Sequence, residues 1–323
     1  MTTEKPTLPN LFIPGAGKSG TTSLHAYLAE HPDIFMCTPK ETEFFSHDPV
    51  YQRGLDWYSG LFEPGASAQV RGESSTAYFS FPNVIDRLGS ACPDARFIFV
   101  LRNPIERVWS HYRWLKGRGD ESRDLRAAFL ADAGQDPHWW EDVNGAYRFY
   151  ESESRYDDHI GRFLERFGRP RLHVVTTEQL RDDPQAVLAS CADFLGLDPP
   201  PVVQARHENM SFSTTHDRLD RFISGRPTGR TSIDVLQNAI RRPARWALRS
   251  RAVSRRRESA LAVIRRDVPD LAPKDRAWLR EVFTPGVRRL RALLDLEFAD
   301  WAVDFPVTER RLTAGSEPEE AGR

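Results

Sequence analysis

Lys18 stands in the stretch Pro14-Gly-Ala-Gly-Lys-Ser-Gly-Thr-Thr-Ser-Leu24, surrounded by Gly17, Ser19, Gly20, Thr21 and Thr22. A glycine turn between a strand and a helix aims backbone N–H groups and the positive end of a helix dipole at one point. That point suits a phosphate or sulfate. Lys18 adds a point charge there, and the hydroxyls add donors. The spacing differs from the nucleoside-triphosphate loop, which puts four residues between its first glycine and Gly-Lys-Ser/Thr. Here Ala16 alone separates Gly15 from Gly17. A merely structural turn is the alternative reading.

Other groups could share that chemistry. In Pro39-Lys-Glu-Thr-Glu-Phe-Phe45, Lys40 and Glu41 precede two aromatic anchors. The segment reads either as a solvated charged loop or as a general base held near the phosphate turn. Glu73, Ser74 and Ser75 end a strand read over Gln69–Ser75. Open parallel sheets place ligands at such carboxyl ends, although a strand-to-loop cap reads equally well. Arg102 follows the run Arg96-Phe-Ile-Phe-Val-Leu101 and precedes Asn103-Pro104, a helix start with Glu106 at its third position. An arginine there is placed to hold a second phosphate, with Ser110 about two turns further along.

The elements that must position these residues follow from periodicity. Leu11–Ile13 reads as a buried strand and Ser23–Ala29 as the helix after the turn. His31-Pro32 ends that helix, and His31 reads as a local hydrogen-bonding residue. Gly54–Phe62 reads as a short amphipathic helix with Leu55, Tyr58, Leu61 and Phe62 inward. Gln69–Ser75, Arg96–Leu101 and Leu172–Thr177 read as further strands, the second apolar enough to be buried on both faces. Tyr156–Phe167 reads as a helix, as does the segment from Asp183-Pro184 to Gly196. Asp275–Leu294 reads as two amphipathic helices split at Pro285. Strands alternating with helices predict an α/β fold with a central parallel sheet flanked by helices.

Composition sets the bounds. The chain has 323 residues, 40% hydrophobic and 28% charged, with a formal net charge of −1. No global field draws it to nucleic acid or membrane, and no nucleic-acid partner is expected. No apolar run reaches membrane-spanning length, and the N-terminus has no apolar signal core. Cys37, Cys92 and Cys191 read as reduced thiols of a cytoplasmic protein. No metal is expected from the histidine spacing. Residues 120–150 are polar with scattered aromatics, including Trp139, Trp140, Tyr147 and Phe149, and read as a cover over the site. The arginine-rich segment 216–257 reads as a solvated face or as a lid for an anionic ligand. One domain over 8–305 and a disordered tail over 306–323 are expected.

Taken in chain order, the motifs resemble a known family. They are the glycine turn, Pro39-Lys40-Glu41-x-x-Phe44-Phe45, Glu73-Ser-Ser-Thr-Ala-Tyr78-Phe79 and Leu101-Arg102-Asn-Pro-x-Glu106-Arg107-x-x-Ser110. Thr177-Glu178-x-Leu180 and Phe194-Leu195-Gly196-Leu197 follow. The chain resembles the sulfotransferases that use 3′-phosphoadenosine 5′-phosphosulfate (PAPS), above all the branch with the heparan sulfate enzymes and bacterial relatives. The resemblance implies a P-loop NTPase-like three-layer fold and a PAPS donor that leaves as adenosine 3′,5′-bisphosphate (PAP). It implies that Lys18, with Gly17, Ser19, Gly20, Thr21 and Thr22, binds the 5′-phosphosulfate. It gives Arg102 and Ser110 to the 3′-phosphate and Glu41 to the general base, with Lys40 beside it. Lys40, Glu73 and Ser74 are expected toward the acceptor, and Arg226 and Arg230 in a loop closing over the donor. Ser74 stands where heparan-type members carry a lysine, and Ser154-Arg155-Tyr156 stands for their Gly-x-Tyr. The acceptor is expected to be a small molecule, lipid or glycan, its hydroxyl or amine sulfated by in-line displacement. A P-loop-type phosphotransferase or kinase is the alternative.

Overall fold

The computed structural model describes residues 6–117, 120–133, 149–199 and 270–307. Trp139, Trp140, Tyr147, Arg226, Arg230, the 216–257 segment and the tail from 308 lie outside them.

The central sheet has five parallel strands in the order β2-β3-β1-β4-β5. They are β1 (Leu11–Phe12), β2 (Ile34–Met36), β3 (Val70–Glu73), β4 (Arg96–Leu101) and β5 (Leu172–Thr176). Helix α1 spans Thr21–Leu28, α2 Asp48–Tyr51, α3 Leu55–Gly60, α4 Pro82–Ala91 and α5 Pro104–Gly117. Then come α6 (Leu125–Asp132), α7 (Tyr156–Phe167), α8 (Thr177–Asp182), α9 (Pro184–Leu195) and α10 (Pro273–Leu294).

The pleat sorts the apolar runs into two layers of core, because successive strand residues point to opposite faces. Phe97, Phe99 and Leu101 of β4 pack with residues of α4, α5, α7 and α10. Ile98 and Val100 pack on the other face with Leu24, Leu28, Leu180, Leu188 and Cys191, from α1, α8 and α9. A strand buried on both sides must be apolar at nearly every position, as β4 is.

Caps set the helix ends. Asn103 Oδ1 accepts the Ile105 N–H at 3.0 Å. Thr176 and Gln179 form a reciprocal capping box at the start of α8. Asp183 caps α9, and Gly196, at φ 72°, ends it.

Three expectations change. The short edge strand β2 follows directly on the His31-Pro32 helix exit, and three residues are too few for a pattern to announce it. Leu55 is 39% exposed, while Tyr58 and Phe62 of the same segment are fully buried. Residues 273–294 form one helix with Pro285 inside it. Its apolar face, Leu279, Phe283, Val287, Leu290 and Leu294, is continuous across the proline and buried. That burial outweighs the one backbone hydrogen bond that a proline removes.

Candidate active site

The carboxyl ends of β1, β3, β4 and β5 converge, and each delivers part of one site. The loop after β1 is laced to β4: Ala16 N–H donates to the Val100 carbonyl at 2.8 Å, and Val100 N–H to the Gly15 carbonyl at 2.8 Å. A Cβ on Gly15 would meet Phe79 at 2.6 Å, so only glycine fits there. Gly20 caps α1 at φ 93°, a left-handed conformation that glycine adopts without strain. Thr177 Oγ1 donates to the Ser19 carbonyl at 2.6 Å, tying the loop to the end of β5. The Lys18 ammonium lies 4.9 Å from the centre of the Trp114 ring on α5.

The loop has the features an anion needs. It ends at a helix N-terminus with no acidic residue in the first turn. Ser19 Oγ is buried without a partner that meets hydrogen-bond geometry. It lies near the Tyr156 hydroxyl, whose raised proton affinity it opposes, while that hydroxyl donates to the Arg102 carbonyl at 3.0 Å. Arg102 itself reaches back, its Nη1 lying 3.5 Å from the Lys18 carbonyl and its Nη2 3.8 Å from Glu106. Thus Lys18 and Arg102, separated by 84 positions, share one corner. Thr21 is buried, and Gly17, Thr22 and Ser110 are partly exposed, Ser110 on α5 about two turns past Arg102. These residues fit the phosphosulfate and 3′-phosphate of PAPS.

The corner is braced from far along the chain. Glu178 accepts the Asn103 N–H at 3.2 Å and the Trp301 Nε1–H at 3.3 Å. Asp304 accepts Asn103 Nδ2–H at 2.9 Å and Arg276 Nη1–H at 2.6 Å. Arg276 also pairs with Glu106.

The acceptor side is built from two loops that hold each other. Glu41 Oε1 pairs with Lys40 Nζ at 2.9 Å. Glu41 Oε2 accepts the Thr76 N–H at 3.2 Å and the Thr76 hydroxyl at 2.9 Å. In return Thr42 Oγ1 donates to Glu73 Oε1 at 2.7 Å. Glu73 is 1% exposed. It also accepts Ser75 Oγ–H at 2.5 Å and the Tyr58 hydroxyl. Burial pushes its carboxyl above the usual range, and these donors oppose that shift. The Tyr78 hydroxyl accepts the Phe45 N–H at 3.1 Å, pinning the aromatic anchor. Ser74 is fully buried, and its Oγ lies 2.9 Å from His25 Nδ1.

The sequence reading left out Thr76, His25 and Glu153. Thr76 lies inside a quoted motif, and its role as an oxyanion donor to Glu41 shows only in space. Glu153 Oε2 lies 3.7 Å from where a Cβ of Gly17 would stand. Its carboxylate accepts the Ser80 hydroxyl. Burial raises its proton affinity, Arg107 lowers it, and Glu41 raises it further. Glu153 therefore stands between the loop and Glu41, and no spacing in the sequence signals it.

Fold and site together define a phosphate-loop α/β protein shaped for an anionic nucleotide. Residues 8–220 match the family model described as the sulfotransferase domain. The chain belongs to that family of PAPS-dependent sulfotransferases. It is 32% identical over 206 residues to the human bifunctional heparan sulfate N-deacetylase/N-sulfotransferase 2, covering 59% of this chain and 22% of that protein. It is 31% identical over 190 residues to the mouse heparan sulfate glucosamine 3-O-sulfotransferase 6, covering 58% of this chain and 52% of that one. The chain thus spans about a fifth to a half of the length of these curated relatives. Among solved structures, a sulfotransferase from Alicyclobacillus acidocaldarius superposes with a TM-score of 0.61 at 24% identity, covering 91% of this chain and 98% of that one. That likeness supports the P-loop NTPase-like three-layer fold. Among the described residues no helix is long and apolar enough to cross a membrane.

Proposed function

We propose that this protein transfers a sulfuryl group from PAPS to an acceptor hydroxyl or amine, with Glu41 as general base. The reading rests chiefly on how Glu41 is held. One oxygen is paired with Lys40, the other is fixed by Thr76, and Glu153 links this rim to the glycine loop. PAPS supplies the sulfuryl group and leaves as PAP. Lys18 and the loop N–H groups stabilise the charge that develops on the leaving phosphate oxygen. Glu41 takes the proton that the acceptor loses as its bond to sulfur forms. The sulfate ester or sulfamate and PAP are the products. Arg102 and Ser110 hold the donor's 3′-phosphate, and holding both reactants in line contributes a further share of the rate.

In the same reading Glu73 braces the Glu41 loop, while Lys40 and Ser74 line the acceptor side. Residues 8–305 act as one domain. The acceptor is a small molecule, lipid or glycan. The family match does not favour a phosphotransferase.

Thermal unfolding tests the donor site. PAP should raise the Tm while ADP without magnesium does little, because a ligand at a hundred times its Kd adds about 2.7 kcal/mol to stability. Lys18→Ala should remove most of that shift together with turnover. Equal shifts for PAP and ADP would return the phosphotransferase reading.

A further inference from the structure

His25 belongs to the first helix after the glycine loop, yet its ring reaches the end of β3. Its Nδ1 lies 2.9 Å from Ser74 Oγ, and Ser74 is fully buried. Two residues beyond Ser74, Thr76 holds Glu41. The imidazole, the base and the base's anchor therefore share one rim. Ser74 occupies Nδ1, so a second group would meet the ring at Nε2.

The charge around this ring is balanced. The cation acting on it is Lys40 and the anion is Glu41, and these two are paired with each other at 2.9 Å. Burial, with Lys40 second, lowers the imidazole to about 4, while Glu41 partly offsets them. The ring is thus neutral at neutral pH.

A polyanionic acceptor needs fixed positive charge to offset its own field. Among the described residues this rim offers a neutral imidazole, a serine and a lysine paired with Glu41. With Nδ1 facing Ser74, Nε2 presents one donor or one acceptor, according to tautomer. A hydroxyl group can answer either, since it both donates and accepts.

We propose that the His25–Ser74 pair is the acceptor-recognition element of this site, and that it selects an uncharged alcohol or phenol over a polyanion. The inference rests on the sulfuryl-transfer reading and narrows its acceptor class to an uncharged hydroxyl compound. His25 acts here as a specificity-determining residue. It holds the nucleophilic oxygen through Nε2, while the oxygen's proton goes to Glu41.

The test uses the full chain with PAPS and two probe acceptors, 2-naphthol and N-desulfated heparin, alongside a thermal-shift measurement with PAP. The wild type should sulfate 2-naphthol with a kcat/KM at least about tenfold above that for the heparin, the scale of one lost or gained polar contact. His25→Ala should raise the KM for 2-naphthol roughly tenfold with a smaller change in kcat. His25→Gln, which keeps a hydrogen-bonding group, should recover part of that loss. His25→Lys should shift the preference toward the heparin. In all three variants the PAP-induced rise in Tm should match the wild type, since His25 lies outside the donor loop, and this also reports that they fold. Preference for heparin by the wild type overturns the proposal, as does an unchanged 2-naphthol KM in His25→Ala. Transfer to neither probe with the PAP shift intact overturns it too. Absence of the PAP shift in the wild type overturns instead the sulfotransferase reading beneath it.

Discussion

Glu41 and Glu73 are the same residue type on two loops that grip each other, yet their surroundings are opposite. Each is held by a threonine from the other's loop: Thr76 holds Glu41, and Thr42 holds Glu73. Glu41 keeps 30% of its side chain exposed and pairs with a lysine. Glu73 is sealed under Tyr58 and bonded by hydroxyls. A carboxylate that must exchange a proton with a substrate needs reach and solvent. One that must hold a loop in place needs enclosure and saturated donors. The difference teaches that residue type nominates a base, while burial assigns the task.

The largest effect expected concerns Glu41. Glu41→Gln should lower kcat by about 10²–10⁴, with the PAP-induced Tm rise intact and stability within about 0.5 kcal/mol of the wild type. Near wild-type turnover in this variant would remove Glu41 as the base. Glu73→Gln should give the reverse signature. Its amide N–H would face hydroxyl donors, at a cost of about 1–3 kcal/mol of stability measured by urea unfolding. Unchanged stability together with lost turnover would mean that the two roles are exchanged.

A smaller effect is expected one bond away. Thr76→Val removes the hydroxyl that fixes Glu41 Oε2, and kcat should fall roughly tenfold with little change in KM. On the donor side, Arg102→Ala should narrow the affinity gap between PAP and AMP, measured by titration calorimetry. An unchanged gap would place the 3′-phosphate elsewhere.

The smallest effect extends the comparison to a third carboxylate. Asp132 is buried and raised from 3.8 to about 7, with burial as the chief cause. It accepts the N–H groups of Tyr150 and Glu151. The folded protein keeps a proton there that the unfolded chain releases. Stability from this group is therefore full below pH 3.8 and declines as pH rises toward about 7. Asp132→Asn retains an acceptor oxygen but cannot titrate. Its unfolding free energy should fall less steeply over that window, by a fraction of about 1.4 kcal/mol per pH unit. An identical slope would mean that Asp132 is ionised in the folded protein throughout.

The donor loop was legible because it is local. Gly17, Lys18, Gly20 and Thr21 follow a strand and open a helix, and a contiguous motif carries its own geometry. The caps at Asn103 and Asp183 and the stop at Gly196 were legible for the same reason. Pro285 misled because its local rule is strong, while the apolar face that keeps α10 whole packs against distant elements. His25 gave no signal at all. It is an ordinary helix residue until β3 brings Ser74 beside it, 49 positions away.

By itself the sequence determined the alternating α/β pattern, the glycine loop with its lysine and the nomination of Glu41, since each depends on neighbours within a few residues. Only the tertiary structure decided that Glu73 is buried among hydroxyl donors, that Glu153 lies beside the glycine loop and His25 beside Ser74, and that Arg276, Trp301 and Asp304 steady the Arg102 corner. Burial and hydrogen-bond saturation are properties of packed surfaces, and packing joins residues whose separation in the chain carries no trace of their contact.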